Sequence, residues 1–525
     1  MNIIEKVFQV FSKNIFISKE ENKYIQLNQK RWSDYKTKKI NKRVILVDLF
    51  PWSPWIHIWS YLTNIISKRE NAQIKFFYFH LIKGKSRKFK FFFRKLFKIY
   101  RSFNAEKGIF ELDFIYSQKE KVEFNKNFIK VKNKKENLIS YKKDGIKIGD
   151  LIYDTCIRTS FKPTVELDSS NTKEIFFRAE KIFNEIKKYF KKYNVRAVIP
   201  SHTCYISYGI ILRYALKKNI PVYKIFSLDR GSADFKLIKI NKNFPLEENP
   251  YNKYNKIFNK IKISTRKKYL FIGKKIIEKR TSGEKDKTLP YLKRNLYASI
   301  KNRIQIKKNL TKKIFLFPHC YLDWPHRYRS MLFPDFYEQS KYILNYSNKG
   351  YELYYKEHPN EFDPRDQMNK HFKKLFPKIK TLPRNFSHKS IINSKPYLVV
   401  TNHGTICHEY AYFKIPVINT GDNPHINYNF SLNPKSINEL EDMIINLNKY
   451  KKKINFDKKN IHEFIYMHYE HFKDKNKNIF RDEYFSKGNV KSHVTKKQNF
   501  KIFLNQKDQI HKNIFNYIEN FIDKN

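Results

Sequence analysis

The chain has 525 residues, of which 41% are hydrophobic and 17% aromatic. This composition excludes a disordered polymer and gives enough length for two or three domains with buried cores. Its 107 Lys and Arg residues outnumber its 49 Asp and Glu residues, so the formal net charge is +58. This charge indicates either a polyanionic partner or only the bias of a Lys-rich genome.

Targeting and redox features predict a cytoplasmic location. The four cysteines lie far apart and form no CxxC pair, which excludes a disulfide framework and a zinc ribbon and is typical of a reducing compartment. No run of about 18 apolar residues predicts a transmembrane helix, and no cleavable signal peptide is evident. We expect a protein of the cytoplasm or of the inner face of the plasma membrane. No nucleic-acid-binding motif accompanies the charge, so no specific nucleic-acid partner is expected.

The first half of the chain predicts a doubly wound α/β domain at residues 43–235, after a helical or loosely ordered lead-in at 1–42. The β-branched apolar run at 43–49 predicts a buried strand, which a segment rich in Pro ends before the next helix. Further strands are predicted at 74–81, 197–200 and 221–226, and helices at 56–67, 172–193 and 205–218.

Residues 83–101 interleave Lys and Arg with Phe, Leu and Ile. The pattern predicts either a surface for anionic lipid or another polyanion, or an ordinary helix whose Lys stems cover the edges of its apolar face. The sequence leaves both interpretations open.

A second α/β domain is predicted at residues 313–435, after a basic linker or helical region at 236–312. Residues 436–525 are expected to be mostly helical, with the last of them packing across the first domain. The predicted fold class is α/β, with two doubly wound sheets that face a cleft and bind ligands at the carboxyl ends of their strands. In the second domain, strands are predicted at 313–317, 351–356, 397–401 and 416–419, and helices near 334–347, at 405–413 and, before the domain, at 269–279.

The turn after the predicted strand at 397–401 is the clearest candidate anion site. Gly404 permits close backbone approach, and the helix that follows presents amides and a positive dipole end. His403 and Thr405 add donors, and Glu409 lies one helical turn further on. We expect this turn to bind a phosphate with a sugar or ribose hydroxyl beside it, although Gly404 could serve the turn alone.

Two other strand ends are candidates for the same ligand. Pro359 stiffens the turn after 351–356 and holds His358 in extended geometry, with Lys356 at the end of the strand. The segment after the strand at 416–419 could line the pocket or form a simple turn. Its polar residues are Asp422, Asn423 and His425.

Candidate acid–base groups follow other strands. Asp323 and His326 follow the strand at 313–317, and Asp48 and His202 hold the matching positions in the first domain. Each could meet an acceptor, and each could instead cap a turn. Weaker candidates are Asp154 and Arg158.

Several common active-site motifs are missing from the sequence. There is no HExxH, Walker A, GxSxG or GxGxxG motif. No Asp-x-Asp pair lies beside a strand end, so we expect neither a metal-held diphosphate nor a cofactor.

Three segments resemble bacterial capsule and surface-polysaccharide glycosyltransferases with a GT-B fold, which has two Rossmann-like domains. The resemblance is to the type with an HP motif, which includes capsular Kdo transferases and polysialyltransferases, and it covers residues 313–435 best. The segments are 319–334 (HCYLDWPHRYRSMLFP), 356–359 (KEHP) and 403–430 (HGTICHEYAYFKIPVINTGDNPHINYNF).

The resemblance implies metal-independent transfer of a sugar from a nucleotide-sugar donor to a glycan or glycolipid. It implies that His358 and Pro359 lie at the donor phosphate, that Gly404 and Thr405 contact it, and that Glu409 contacts the sugar portion. The acidic motif that supplies the base in polysialyltransferases has no clear counterpart here. Two alternatives are a CDP-alditol phosphotransferase of the teichoic-acid type and a non-catalytic basic protein that binds membranes or polyanions.

Overall fold

Two parallel β-sheets flanked by helices form the protein, which confirms the predicted α/β fold class. The structure is a computed structural model. It describes residues 16–35, 42–51, 53–80, 87–227, 235–240, 253–284, 295–298, 306, 311–327, 331–359, 361, 367–471, 497–505 and 508–525.

The first sheet has the strand order β3-β2-β1-β6, with every pair parallel. Strand β1 is buried at every position after Arg43, as expected for a parallel strand with helices on both faces. Val47 of β1 pairs with Ile199 of β6, so the residues that follow these strands leave one edge of the sheet side by side. The strands are β1 (Arg43–Asp48), β2 (Gln73–Tyr78), β3 (Ala105–Phe110) and β6 (Asn194–Ile199), and a small hairpin, β4 (Lys142–Lys143) and β5 (Ile146–Lys147), precedes β6.

The chain extends this sheet beyond β6 through a parallel bridge between Val198 and Val222. The sequence did not reveal β3, an edge strand with exposed Glu106 and Lys107, and of the antiparallel pair that follows the bridge it predicted only the first strand, at 221–226. That pair is β7 (Tyr223–Ser227) and β8 (Phe235–Lys239). The helices of this half are α1 (Lys19–Arg31), α2 (Ser53–Glu70), α3 (Arg87–Arg101), α4 (Gln118–Val131), α5 (Lys135–Ser140), α6 (Gly149–Ser160), α7 (Ser170–Lys192) and α8 (Tyr205–Lys217).

The second sheet has the order β11-β10-β9-β12-β13, again with all pairs parallel. In each sheet the strand that comes first in the chain is central, and the later strands are added first on one side and then on the other. This reversal leaves a crevice at the carboxyl ends of β1 and β6 and another at those of β9 and β12, where open α/β sheets bind ligands. The strands are β9 (Lys313–Phe317), β10 (Glu352–Lys356), β11 (Lys380–Leu382), β12 (Leu398–Thr401) and β13 (Val417–Asn419).

Helices precede, flank and follow the second sheet. Before and between its strands are α9 (Tyr254–Phe258), α10 (Ile263–Ser282), α11 (Phe336–Leu344), α12 (Gln367–Leu375), α13 (His388–Asn393) and α14 (Ile406–Tyr412). After it are α15 (Ile437–Ile445), α16 (Leu447–Lys451), α17 (Lys458–Tyr466), α18 (Lys497–Leu504) and α19 (Asp508–Asp523).

The final helices return to the first half, as the sequence suggested. Phe500 and Phe503 of α18 and Ile514 of α19 share one buried apolar core with Tyr24 of α1 and Trp59 of α2. The lead-in helix and the last two helices therefore cover the same face of the first sheet.

The basic segment at 83–101 contains α3, which packs into the core through the side chains that are described. Phe93, Leu96 and Ile99 of α3 are buried, and Lys95 forms a buried ion pair with Glu21 of α1, with Nζ and Oε1 2.6 Å apart. Residues 83–86 lie outside the described residues. Among the described helices, none has the length and apolarity needed to cross a bilayer.

Candidate functional site

Three histidines converge at the carboxyl end of the second sheet. The rings of His319 and His358 stack with their centroids 5.3 Å apart, and His403 meets His319 edge-on at 6.1 Å. They follow the neighbouring strands β9, β10 and β12, which explains why residues distant in sequence meet. His319 belonged to a candidate segment, but the sequence did not single it out, because only the strand order puts it between the other two.

Backbone and thiol contacts hold two of these rings. The Nδ1–H of His403 donates to the carbonyl oxygen of Asp422, 2.9 Å away, which fixes the protonated nitrogen of that ring. A Cβ on Gly421 would lie 2.5 Å from Cε1 of His403, so only glycine leaves room for the ring there. His358 Nδ1 lies 3.0 Å from Sγ of Cys320. The cluster is therefore held in a defined orientation.

Lys356 is a buried cation at the end of β10, two residues before His358 in the chain. Its side chain is 3% exposed, with Nζ 5.9 Å from the ring centroid of Phe317, and among the described residues no acidic side chain pairs with it. Burial lowers the pKa of Lys356 to about 8. Burial and the nearby Lys356 charge also lower the pKa of His388, so that imidazole stays neutral. Lys356 thus supplies positive charge at neutral pH where a donor phosphate was predicted.

The turn at which a phosphate is predicted to bind leads into a short helix. Thr405 is the N-cap residue of α14, which spans seven residues, and the amide of Glu409 donates to the Thr405 carbonyl oxygen at 3.1 Å. The first amides of a helix have no intrahelical acceptor, so this turn retains donors for an anion. Gly404 lies close to Thr401, because an added Cβ would be 3.0 Å from the Thr401 hydroxyl oxygen.

Glu409 has buried partners that the sequence did not suggest. Its Oε1 lies 3.2 Å from a guanidinium nitrogen of Arg280, and the hydroxyl of Tyr297 donates to its Oε2 at 2.8 Å. A buried carboxylate is stable only when it is paired, and Arg280 and Tyr297 are the partners of this one. The contact of Glu409 with a donor sugar stays a prediction.

The segment after β13 is likewise turned toward the interior. His425 is 2% exposed and packs against the rings of His408 and Phe464, at centroid distances of 5.5 and 5.7 Å. Burial lowers the pKa of His425 to about 3. The backbone amide of His425 donates to Oδ1 of Asn423, 3.0 Å away, so this part of the motif forms a turn as the simpler alternative anticipated. Asp422 reaches the histidine cluster through its backbone.

The crevice of the first sheet contains a linked Asp, Ser and His. The Ser201 hydroxyl donates to Oδ2 of buried Asp48, and Ser201 Oγ lies 2.8 Å from Nδ1 of His202. Burial raises the pKa of Asp48 to about 7, and the hydrogen bonds from Ser201 counteract this only in part. His202 lies beside Phe50 and Trp55, with ring centroids 5.3 and 5.5 Å away. The sequence identified Asp48 and His202 separately, and their connection through Ser201 appears only once β1 and β6 pair.

Contacts between the halves bring the two crevices into proximity. Trp324, in the loop after β9, lies beside Tyr205 at a centroid distance of 6.4 Å, and Tyr205 directly follows the His202 loop. Tyr205 has a left-handed backbone with φ 59°, which a bulky residue rarely adopts. The guanidinium of Arg158 also donates to the carbonyl oxygen of Leu322 at 3.4 Å. The first crevice therefore lies next to the loop that carries His319.

The predicted acid–base residues of that loop have separate contacts. His326 Nδ1 lies 2.6 Å from Oδ1 of Asp154 on α6, so this pair joins the two halves. Asp323 accepts from the backbone amide of Trp324 at 3.1 Å, as in a local turn, and its Oδ2 is 3.8 Å from His319 Nδ1. Of these two candidates, only Asp323 borders the histidine cluster. No group of three or more His, Cys, Asp or Glu residues suited to a metal ion occurs among the described residues.

No family model matches the chain, and no curated protein matches it. Similar solved structures include UDP-GlcNAc 2-epimerase from Neisseria meningitidis, 10% identical, covering 81% of this chain and 97% of that chain with a TM-score of 0.23. KpsC, a β-Kdo 2,4 transferase from Thermosulfurimonas dismutans, is 11% identical over 52% and 79% of the two chains, with a TM-score of 0.33. The wall teichoic acid polymerase TagF is 12% identical over 98% of both chains, with a TM-score of 0.19. At these low values, the fold assignment rests on the strand orders of the two sheets.

Proposed function

We propose that the protein is a glycosyltransferase that moves a sugar from a nucleotide-sugar donor to a glycan or glycolipid acceptor in the cytoplasm. The observation that carries this proposal is the pairing of two different clusters at neighbouring crevices. One cluster is rich in imidazoles and positive charge, and the other links the carboxyl group of Asp48 through Ser201 to the imidazole of His202. Sugar transfer needs both, an anion site for the leaving nucleotide and a base for the acceptor.

The second crevice is the proposed donor site. His319, His358 and His403 meet at the strand ends, Lys356 ends the strand β10 that leads to His358, and the turn at Gly404 and Thr405 directly follows His403. Imidazole N–H groups, the ammonium group and the helix amides all interact favourably with phosphate oxygens. Their stabilising effect increases as negative charge develops on the leaving phosphate, which is the requirement for catalysis.

The first crevice is the proposed acceptor site. When the Ser201 hydroxyl donates to the Asp48 carboxylate, the Ser201 oxygen accepts from the Nδ1–H of His202. Nε2 of that imidazole is then free of a proton and can accept one. His202 then takes the proton of the acceptor hydroxyl, and the negative charge on Asp48 stabilises the resulting imidazolium through Ser201. The acceptor oxygen bonds to the anomeric carbon while the bond from that carbon to the donor phosphate breaks.

A transfer assay with labelled donors tests this function. Nucleotide sugars labelled in the sugar, and CDP-glycerol labelled in the glycerol, are incubated with the protein and cell-envelope glycolipid. We expect label from a nucleotide sugar in the glycolipid, with a large loss in Ser201→Ala and little change in Ser207→Ala, another buried serine. Transfer of glycerol phosphate without sugar transfer would instead identify an alditol phosphotransferase, and transfer from neither donor would contradict catalysis of this kind.

A further inference from the structure

One face of α10 exposes apolar side chains among lysines. Ile263 is 72% exposed and Phe271 is 57% exposed, and their spacing of eight residues sets them about 80° apart around the helix, both on its exposed half. Exposed lysines surround them on this face, which we call the α10 face. These are Lys267, Lys268, Lys274 and Lys275.

The packing of α10 fixes which side is exposed. Ile277 and Arg280, on the other side of the helix, are buried, and Gly273 lies directly against α17. A Cβ on Gly273 would be 2.0 Å from the carbonyl oxygen of His462, so the two backbones touch there. The helix cannot rotate to bury Phe271 without losing this contact, so the exposed ring is a fixed property of the surface.

The charge of the α10 face is mostly unneutralised. Throughout the described parts of the chain, no acidic side chain pairs with Lys267, Lys268 or Lys275. Lys274 has only a long contact to Glu278, at 3.8 Å. The segment that leads into the helix adds further exposed lysines, which are Lys253, Lys256, Lys260 and Lys262.

We infer that the α10 face docks the protein on an anionic lipid bilayer. A soluble polyanion would use the lysines but would leave Ile263 and Phe271 in water, whereas a bilayer interface accepts both kinds of side chain. One lysine of this face supports the arrangement, because Nζ of Lys275 lies 5.2 Å from the ring centroid of Phe271 and would meet headgroups as the ring enters the interface. The inference is independent of the reaction proposed above.

Vesicle sedimentation tests the docking surface with matched controls. We expect the full-length protein to bind vesicles of phosphatidylcholine with phosphatidylglycerol and not vesicles of phosphatidylcholine alone. Lys267→Glu with Lys268→Glu should weaken binding about tenfold or more, and Ile263→Ala with Phe271→Ala about tenfold. Controls are Lys451→Glu with Lys452→Glu, two exposed neighbours at the end of α16, and Ile445→Ala, another exposed apolar residue.

Two outcomes would overturn the inference. One is failure of the wild-type protein to sediment with anionic vesicles at low salt. The other is attraction to any polyanion, shown by equal weakening in the Lys451 and Lys452 control together with binding that is unchanged by loss of Phe271 and matched by soluble heparin. All substituted residues are exposed, so the melting temperatures of the variants should match that of the wild type and exclude misfolding.

Discussion

The carboxylate of Asp154 and the imidazole of His326 meet where the two halves of the protein touch, with Oδ1 and Nδ1 2.6 Å apart. Burial alone would lower the pKa of His326, but the Asp154 carboxylate raises it above its ordinary value. Tyr153, the residue before Asp154, also reaches the second half, because its hydroxyl donates to Oδ2 of Asp335 at 2.5 Å. Helix α6 therefore fixes the position of one crevice relative to the other.

Replacing Asp154 should destabilise the protein. Asp154→Asn leaves His326 buried without its anionic partner, and breaking such a pair costs about 3–5 kcal/mol. The pKa of His326 is higher in the folded than in the unfolded protein, where it is about 6.5. The pair therefore contributes fully to the free energy of unfolding below the unfolded pKa, and this contribution is lost as pH rises through the folded pKa. Urea unfolding at several pH values measures both effects. Asp168→Asn, at a carboxylate that is 84% exposed, is the control, and equal stability of the two variants would contradict the role of the pair.

The ionised form of Asp48, which the proposed reaction uses, should lower the free energy of unfolding at high pH. Its folded pKa of about 7 lies above the ordinary value of 3.8, so the stability associated with the neutral carboxyl is lost as pH rises between these values. Asp48→Asn should therefore be more stable than the wild type at pH 8 and similar to it at pH 4. Thermal melts across this range measure the difference, and parallel curves for both proteins would contradict the assigned pKa.

The connection through Ser201 should appear in the pH dependence of transfer. If Asp48 must be ionised, the wild-type rate falls as pH drops below about 7. Ser201→Ala interrupts the chain to His202, and we expect a rate loss of about a hundredfold together with loss of the Asp48-dependent acidic limb. A Ser201→Ala rate profile that keeps the wild-type shape would show that His202 works without Asp48.

Replacing Glu409 distinguishes a role in stabilising the fold from a role in binding the donor. Glu409→Gln leaves the charge of Arg280 buried without its carboxylate and should cost about 3 kcal/mol or more in unfolding free energy. The KM for the donor should then change little at temperatures where the variant is folded. Unchanged stability with a strongly raised donor KM would instead support the sugar contact that the family resemblance implied.

The last helix should loosen in acid. His511 of α19 lies between Arg31 of α1 and Tyr61 of α2, with its Nε2 2.8 Å from the Arg31 guanidinium. Burial and the Arg31 charge lower the pKa of His511 to about 4. The stability that neutral His511 contributes is therefore fully present above the unfolded pKa and is lost as pH falls toward 4. Hydrogen exchange in residues 508–523 should rise below about pH 6. In His511→Gln this acid-dependent rise should be smaller, whereas His371→Gln, at an exposed histidine, should behave as wild type.

The sequence predicted the parts of the site that depend on one strand and its following turn. His358, His403, Asp48 and His202 could be found because each lies at or just after the end of an apolar run, close to a polar or breaker-rich loop. What it could not predict depends on which strands become neighbours. The link through Ser201 and the stacking of His319 both require the strand order, and the pairing of Glu409 with Arg280 joins segments far apart in the chain.

The most direct test of the donor site is a thermal-shift panel with CMP-, UDP-, GDP- and CDP-linked donors. A ligand at about 100 times its Kd adds about 2.7 kcal/mol to the free energy of unfolding, which raises the melting temperature measurably. We predict that at least one nucleotide stabilises the wild type and the control His371→Ala, and that His358→Ala loses this shift. If no nucleotide stabilises the wild type, or if His358→Ala keeps the full shift, the assignment of the second crevice as the donor site is contradicted.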